Sequence, residues 1–452
     1  MQTLTQRFAD FGAHLCITEV PAETLHYAKL LTLDLLGVAI GGLETEEAAV
    51  TMRACRALSN EGGNSSLWRT GVKSSPAMAA MFNGTVAHAL ELDDFHGIDH
   101  SGAVIVPALM ACADDHPQHT GEDFLLGMVF GYEVGRRVLD GAGGYRAHNK
   151  EGWHTTGTLG GFAAAAAVGK FLRLPADQLA HALGIAGSYT GGTWAFNVDG
   201  AMSKRYHCGI SSQCGLQAAY LARAGMSGPA SVLEAERGGY FNLYAHGMTS
   251  AARASADELG RDFRIQWAGV KAYACCRGIH SALDVILSLR DGGLTATSVD
   301  HIDVVCTAVQ AAQLGRHDPA TRLEAQFSLP YSVAVALLHG EAGYDLFTER
   351  WLGNKDITAL DAKIILRVDE ARSIESEPTV TVTTLNGQST TRQVAKALGD
   401  PSNPVPQSAV MAKYAGLAGR QVSDAEVSAL RDAVLSLELD GQLSAVRTLL
   451  EG

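Results

Sequence analysis

The sequence predicts a mainly α protein, with a large all-helical domain joined to a smaller α+β domain. Three observations carry this. Apolar residues recur at helical spacing from the start to about residue 260, β-branched alternating segments take over near residue 265, and helical spacing returns in the tail. A chain of 452 residues exceeds the roughly 250–300 at which single cores usually split. The division read from these changes in texture places residues 1–265 with 396–452 in the helical domain and 266–395 in the α+β domain.

The helical part begins with PAETLHYAKLLTLDLLGVAI, whose leading proline suits the first turn of a helix. AMAAMFNGTVAHALEL, EDFLLGMVFGYEVGRRVL, TGTLGGFAAAAAVGKFL, ADQLAHALGIAGSY and ISSQCGLQAAYLARAG follow, and their many Ala and Gly positions predict helices packed closely through short side chains. LGGFAAAAAVGKF (159–171), the longest run of low polarity, is too short to span a bilayer and carries Lys170. In the α+β domain, DHIDVVCTAV (300–309) and KIILRVD (363–369) read as strands. Asn386-Gly387, set between alternating segments, reads as the turn of a hairpin. QFSLPYSVAVALLHG reads as a turn followed by a helix, and SDAEVSALRDAVLSL and QLSAVRTLL as the helices of the tail.

Composition narrows the function. With 47% hydrophobic and 18% charged residues, the chain has the make-up of a soluble globular protein. A net charge of −13 argues against a nucleic-acid surface, which needs a Lys/Arg-rich face. A small anionic substrate stays open, because a pocket's local charge can oppose the global one. The opening MQTLTQRFADFGAHL lacks the basic and apolar regions of a signal peptide. Eight cysteines occur without CxxC spacing, which predicts a reducing, cytoplasmic setting.

Four segments could carry chemistry. HALELDDFHGIDHSG (88–102) sets Glu91, Asp93, Asp94 and Asp99 among His88, His96 and His100. It reads as a solvated acidic loop, as carboxylates paired with histidines, or as a metal site, the last weakened by Gly97 between His96 and His100. Helical spacing running through Glu91 would put these acids at a helix C-terminus, where the macrodipole disfavours them. In EGWHTTGTLGG (151–161), His154 precedes the start of a helix, as an anion-binding N-terminus or simply as a capped, packed turn. GAMSKRYHCGISSQ (200–213) offers Lys204, Arg205 and His207 just ahead of another helix, unless the adjacent Lys and Arg are plain surface charges. KAYACCRGIHSALD (271–284) adds Lys271, Arg277 and His280, and cationic groups of this kind pair carboxylates. Its adjacent Cys275 and Cys276 read as small packed side chains rather than as nucleophiles. G-x-S-x-G, the P-loop and G-x-G-x-x-G are all absent. The histidines, lysines and carboxylates that remain suit general acid–base work on an acidic C–H bond.

Taken together, these segments resemble the MmgE/PrpD family along nearly the whole chain. The resemblance rests on HALELDD with HSGAVIVPAL, GWHTTGTLG, SKRYHCGISSQCGL, KAYACCRGIH, QFSLPYSVAVALL and NPVPQSAVMAKYAGLAG, in that order. It implies a helical domain with an α+β lid, a homodimer, no cofactor or metal, and a small di- or tricarboxylate substrate. Carried over by motif, the catalytic set is His100, His154, Lys204, Glu91 and Asp93. Lys271, Arg277, Arg205, Cys276 and His280 would bind substrate. The resemblance points first to a 2-methylcitrate dehydratase-like hydro-lyase. An iminodisuccinate-like epimerase, a cis-aconitate-like decarboxylase and a non-catalytic carboxylate binder stay open. Cys276 stands where the decarboxylases of the family carry a further histidine, which argues against their specificity. Glu91 replaces the family's usual aspartate, and Ser101, Thr155 and Ala274 stand where proline is frequent.

Overall fold

The computed structural model describes residues 2–59, 62–247 and 250–452. Among them are twenty-one α-helices and only small sheets, so the molecule is mainly α with a smaller α+β portion. The described chain forms two compact units, one of residues 1–194, 203–269 and 406–452, the other of residues 195–202 and 270–405.

The first unit is built around the Thr155–Phe171 helix, which packs against the Gly121–Gly141 and Ser203–Arg223 helices. The Pro76–Ala87 and Ser101–Asp115 helices close the same core. Small residues make this packing possible, as the composition of these segments predicts. A Cβ on Gly160 would stand 2.6 Å from Ser211 Cβ, and one on Gly215 would stand 2.4 Å from Ala164 Cβ. Larger side chains at either position would push the helices apart and cost the dense packing on which a core depends. Among the described residues, no helix is long and apolar enough to cross a membrane.

In the second unit the strands Val299–Cys306, Ile364–Val368, Thr379–Thr384 and Ser389–Gln393 form one sheet. Val299–Cys306 pairs in parallel with Ile364–Val368 and antiparallel with Thr379–Thr384. Thr379–Thr384 then pairs with Ser389–Gln393 across the Asn386-Gly387 turn. Gly387 adopts φ +84°, a conformation that favours glycine. Val380 and Val382 are buried while Thr381 and Thr383 are partly exposed, the period-two pattern of a strand with one face covered. The Leu329–His339 helix starts behind a Ser328 cap with Pro330 in its first turn.

Candidate active site

The His88–Ser101 segment departs from the helical expectation. The Pro76–Ala87 helix stops at Ala87, with His88 at its C-cap. Glu91, His96 and Asp99 all have positive φ, at 58°, 66° and 101°, so the helix cannot continue through them. Three such residues within one segment are costly and mark sites where the surroundings over-determine the backbone. The acids therefore lie ahead of the next helix, Ser101–Asp115, whose N-cap is His100. Asp94 accepts hydrogen bonds from the Gly102 amide and the Tyr132 hydroxyl, both at 2.8 Å. At this end of a helix the macrodipole favours negative charge, so the expected dipole penalty does not arise.

Lys204 and Arg205 lie inside the first turn of the Ser203–Arg223 helix rather than ahead of it, and both are buried. This overturns the surface-charge alternative. The Lys204 ammonium donates to both carboxylate oxygens of Glu91, at 3.0 and 2.9 Å. It also lies 2.6 Å from His88 Nε2 and 3.2 Å from His100 Nε2. Arg205 pairs with the same Glu91 carboxylate. Asp93 joins two imidazoles, with one oxygen 2.8 Å from His88 Nδ1 and the other 2.8 Å from His100 Nδ1. His154 caps the Thr155–Phe171 helix, and its Nδ1 is 2.8 Å from His207 Nδ1. Asp99 stands between the two candidate histidines, 3.2 Å from His100 Nε2 and 3.7 Å from His154 Nε2. Glu91, Asp93, His100, His154, Lys204 and Arg205 thus form one buried cluster in the first unit.

The surroundings charge these groups differently. Burial works against a charged His100, but the carboxylates of Asp93 and Asp99 outweigh it and raise its pKa. Burial also opposes ionisation of Asp93 and Asp99, yet the neighbouring histidines hold both well below the usual carboxylate range. His154 is pushed down to about 3, chiefly by burial, with the charge of His207 and Lys204 adding to the effect. Burial likewise holds His88 well below an ordinary histidine. The arrangement thus favours the proton on His100, between two carboxylates, and disfavours it on His154 and His88.

Two trios, His88–Asp93–His100 and Asp99–His100–His154, have ligand atoms near enough to share a metal ion. The Lys204 ammonium stands against His88 and His100, so a cationic group already occupies one side of the first trio and reaches one member of the second. The other four candidates belong to the second unit. Arg277 faces Glu377 at 3.1 Å and Asp400 at 3.6 Å. The His280 ring packs edge-on against Tyr273. Lys271 is buried, and the Cys276 amide donates to the Gln326 carbonyl at 2.9 Å.

His88, Asp99 and His207, which stand in the candidate segments but outside the sets given catalytic or binding roles, also join the cluster. His207 follows Lys204 by three positions on a helix, a spacing that puts both on one face. His88 and Asp99 carry no such signal, because irregular backbone brings them in.

A mainly α body thus buries a lysine and several imidazoles among carboxylates. Residues 6–252 match the MmgE/PrpD N-terminal domain and residues 273–439 the MmgE/PrpD C-terminal domain, so the chain belongs to the MmgE/PrpD family. It is 28% identical to the cis-aconitate decarboxylase-like protein oryM of Aspergillus oryzae, over 99% of this chain and 97% of that protein. It is 26% identical to a cis-aconitate decarboxylase of Aspergillus terreus, over 99% and 95% of the two chains. With the human cis-aconitate decarboxylase the identity is 25%, over 100% of this chain and 95% of the relative.

Proposed function

We propose that the chain is a lyase for a small polycarboxylate, working by acid–base chemistry without a cofactor, and that it decarboxylates a cis-aconitate-like acid. The observation that carries the acid–base reading is the placing of His100 and His154 on either side of Asp99, next to Lys204, in surroundings that raise the pKa of the first and lower that of the second. In decarboxylation the carbon–carbon bond electrons pass into the conjugated acid as CO₂ leaves. Lys204 stabilises the charge that gathers on a retained carboxylate. His100 delivers its Nε2 proton to the carbon and regains one from solvent. Whole-length similarity to decarboxylases supports this choice of bond.

Dehydration of a 2-methylcitrate-like hydroxy acid is the second reading, favoured by Cys276 in place of the decarboxylases' further histidine. Elimination needs both a base and an acid, and neutral His154 and charged His100 would supply them.

Incubating the protein with cis-aconitate and with 2-methylcitrate separates the readings. CO₂ release supports decarboxylation, and new alkene absorbance from 2-methylcitrate supports dehydration. Deuterium entering the C–H stereocentre of 2-methylcitrate from D₂O without elimination would move the reading to epimerisation. The His100→Ala and Lys204→Ala variants are expected to lose about 10²-fold or more in turnover while staying folded. Near-wild-type rates in both would sink the assignment.

A further inference from the structure

The late segment NPVPQSAVMAKYAGLAG has no part in the chemistry above, yet it reaches the cluster's backbone. It contains the Gln407–Ala418 helix, which packs on the Ala22–Gly42 helix in the first unit. The approach is close because the facing positions are glycines. A Cβ on Gly37 would stand 2.8 Å from Tyr414 Cα, and one on Gly41 would stand 3.3 Å from Leu417 Cβ. That proximity lets Lys413 reach inward. Its ammonium donates to the Leu92 carbonyl at 2.6 Å and to Asp34 Oδ2, on the facing helix, at 3.0 Å. Asp34 is buried. Leu92 lies between Glu91, which contacts Lys204 and Arg205, and Asp93, which contacts His88 and His100. Glu91 itself has positive φ, a conformation that persists only where the surroundings hold it.

We propose that Lys413 is a positioning residue: by holding the Leu92 carbonyl against Asp34 it fixes the turn that aims Glu91 at Lys204 and Asp93 at His100. This deepens the acid–base reading and rests on it. Removing the ammonium frees the peptide between two working carboxylates, so both lose their aim together. A charge at the same reach restores it.

The test compares Lys413→Met, which keeps the apolar stem, with Lys413→Arg, which keeps the charge. Two readouts apply to the full chain: turnover of cis-aconitate, and the titration of the His100 imidazole followed by NMR in the free protein. The groups around that imidazole are Asp93, Asp99, Glu91, Lys204, His88 and His154. Lys413→Met is expected to lower kcat by about 10-fold or more with little change in KM, and to move the His100 titration toward that of an ordinary histidine. Lys413→Arg is expected to recover most of both. An unchanged His100 titration in a folded Lys413→Met protein overturns the proposal, even if its melting temperature falls. The titration needs no substrate. If the wild type fails to turn over cis-aconitate, the decarboxylase reading fails while the role of Lys413 is still decided.

Discussion

His100 shows how one side chain acquires a function from its neighbours. Burial alone would strip its proton, as it does at His154, where nearby charge adds to the effect. Asp93 on Nδ1 and Asp99 on Nε2 reverse the outcome. The sign of the pH dependence follows. A histidine whose pKa is raised keeps its proton to higher pH than an ordinary one, and activity is lost as pH rises through that raised value. Removing the Asp93 charge takes away its largest support. Asp93→Asn is therefore expected to move the alkaline limb of the kcat profile to lower pH by about one unit or more. A pH–rate series on the two proteins measures it, and coincident alkaline limbs would count against His100 as the donor. Residue types and motif order made His100, His154 and Lys204 legible as candidates in the sequence. Their protonation states were not legible, because these depend on distances between residues over a hundred positions apart, such as Lys204 and His100.

At the scale of an element, the junction between the Pro76–Ala87 and Ser101–Asp115 helices is where sequence reasoning and structure part. The helical spacing of HALEL is real, but His88 ends the helix and Glu91 turns to positive φ. Tertiary bonds decide the matter, with Lys204 and Arg205 on Glu91 and the next helix on Asp94. Asp94 gives the junction a measurable signature. Burial, then the nearby charge of Asp93, pushes its pKa from 3.8 up to about 7. Between these values the unfolded chain releases a proton that the folded protein keeps, so stability declines as pH rises through this window and levels off above it. Asp94→Asn, which still offers an oxygen to the Gly102 amide, removes that contribution. Melting temperatures from pH 4 to pH 8 are expected to show a shallower decline for Asp94→Asn than for the wild type, by a few degrees over the range. Parallel curves would mean that Asp94 is already ionised in the folded state.

Across the whole molecule, the helical class and the late strands were legible because period and composition are local signals. Alternating Val and Thr in VTVTTLNGQSTTRQV need no distant partner to be read as strands. Changes of texture place the tail with the first helices, but they give no sign that residues 195–202 leave the first unit, which is assembled from three separate stretches. Its last stretch is integral to the core. Tyr414, Leu417 and Val434 are buried, Tyr414 lies against Gly37, and Lys29 pairs with Glu438. Arg447 donates to Asp114 at the end of the Ser101–Asp115 helix, which begins at His100. A fragment of residues 1–269 therefore lacks one wall of its own core. Exposing that apolar face would remove several side-chain burials of about 1.5–3 kcal/mol each, against a total stability of only about 5–15 kcal/mol for a typical domain. The fragment is expected to melt without a cooperative transition and to be cut rapidly by protease. Co-expression with residues 406–452 should restore both the transition and the protection. Circular dichroism melts and limited proteolysis of the fragment, with and without the tail, provide the check. A sharply melting, protease-resistant 1–269 fragment would show that the tail only decorates a core already complete.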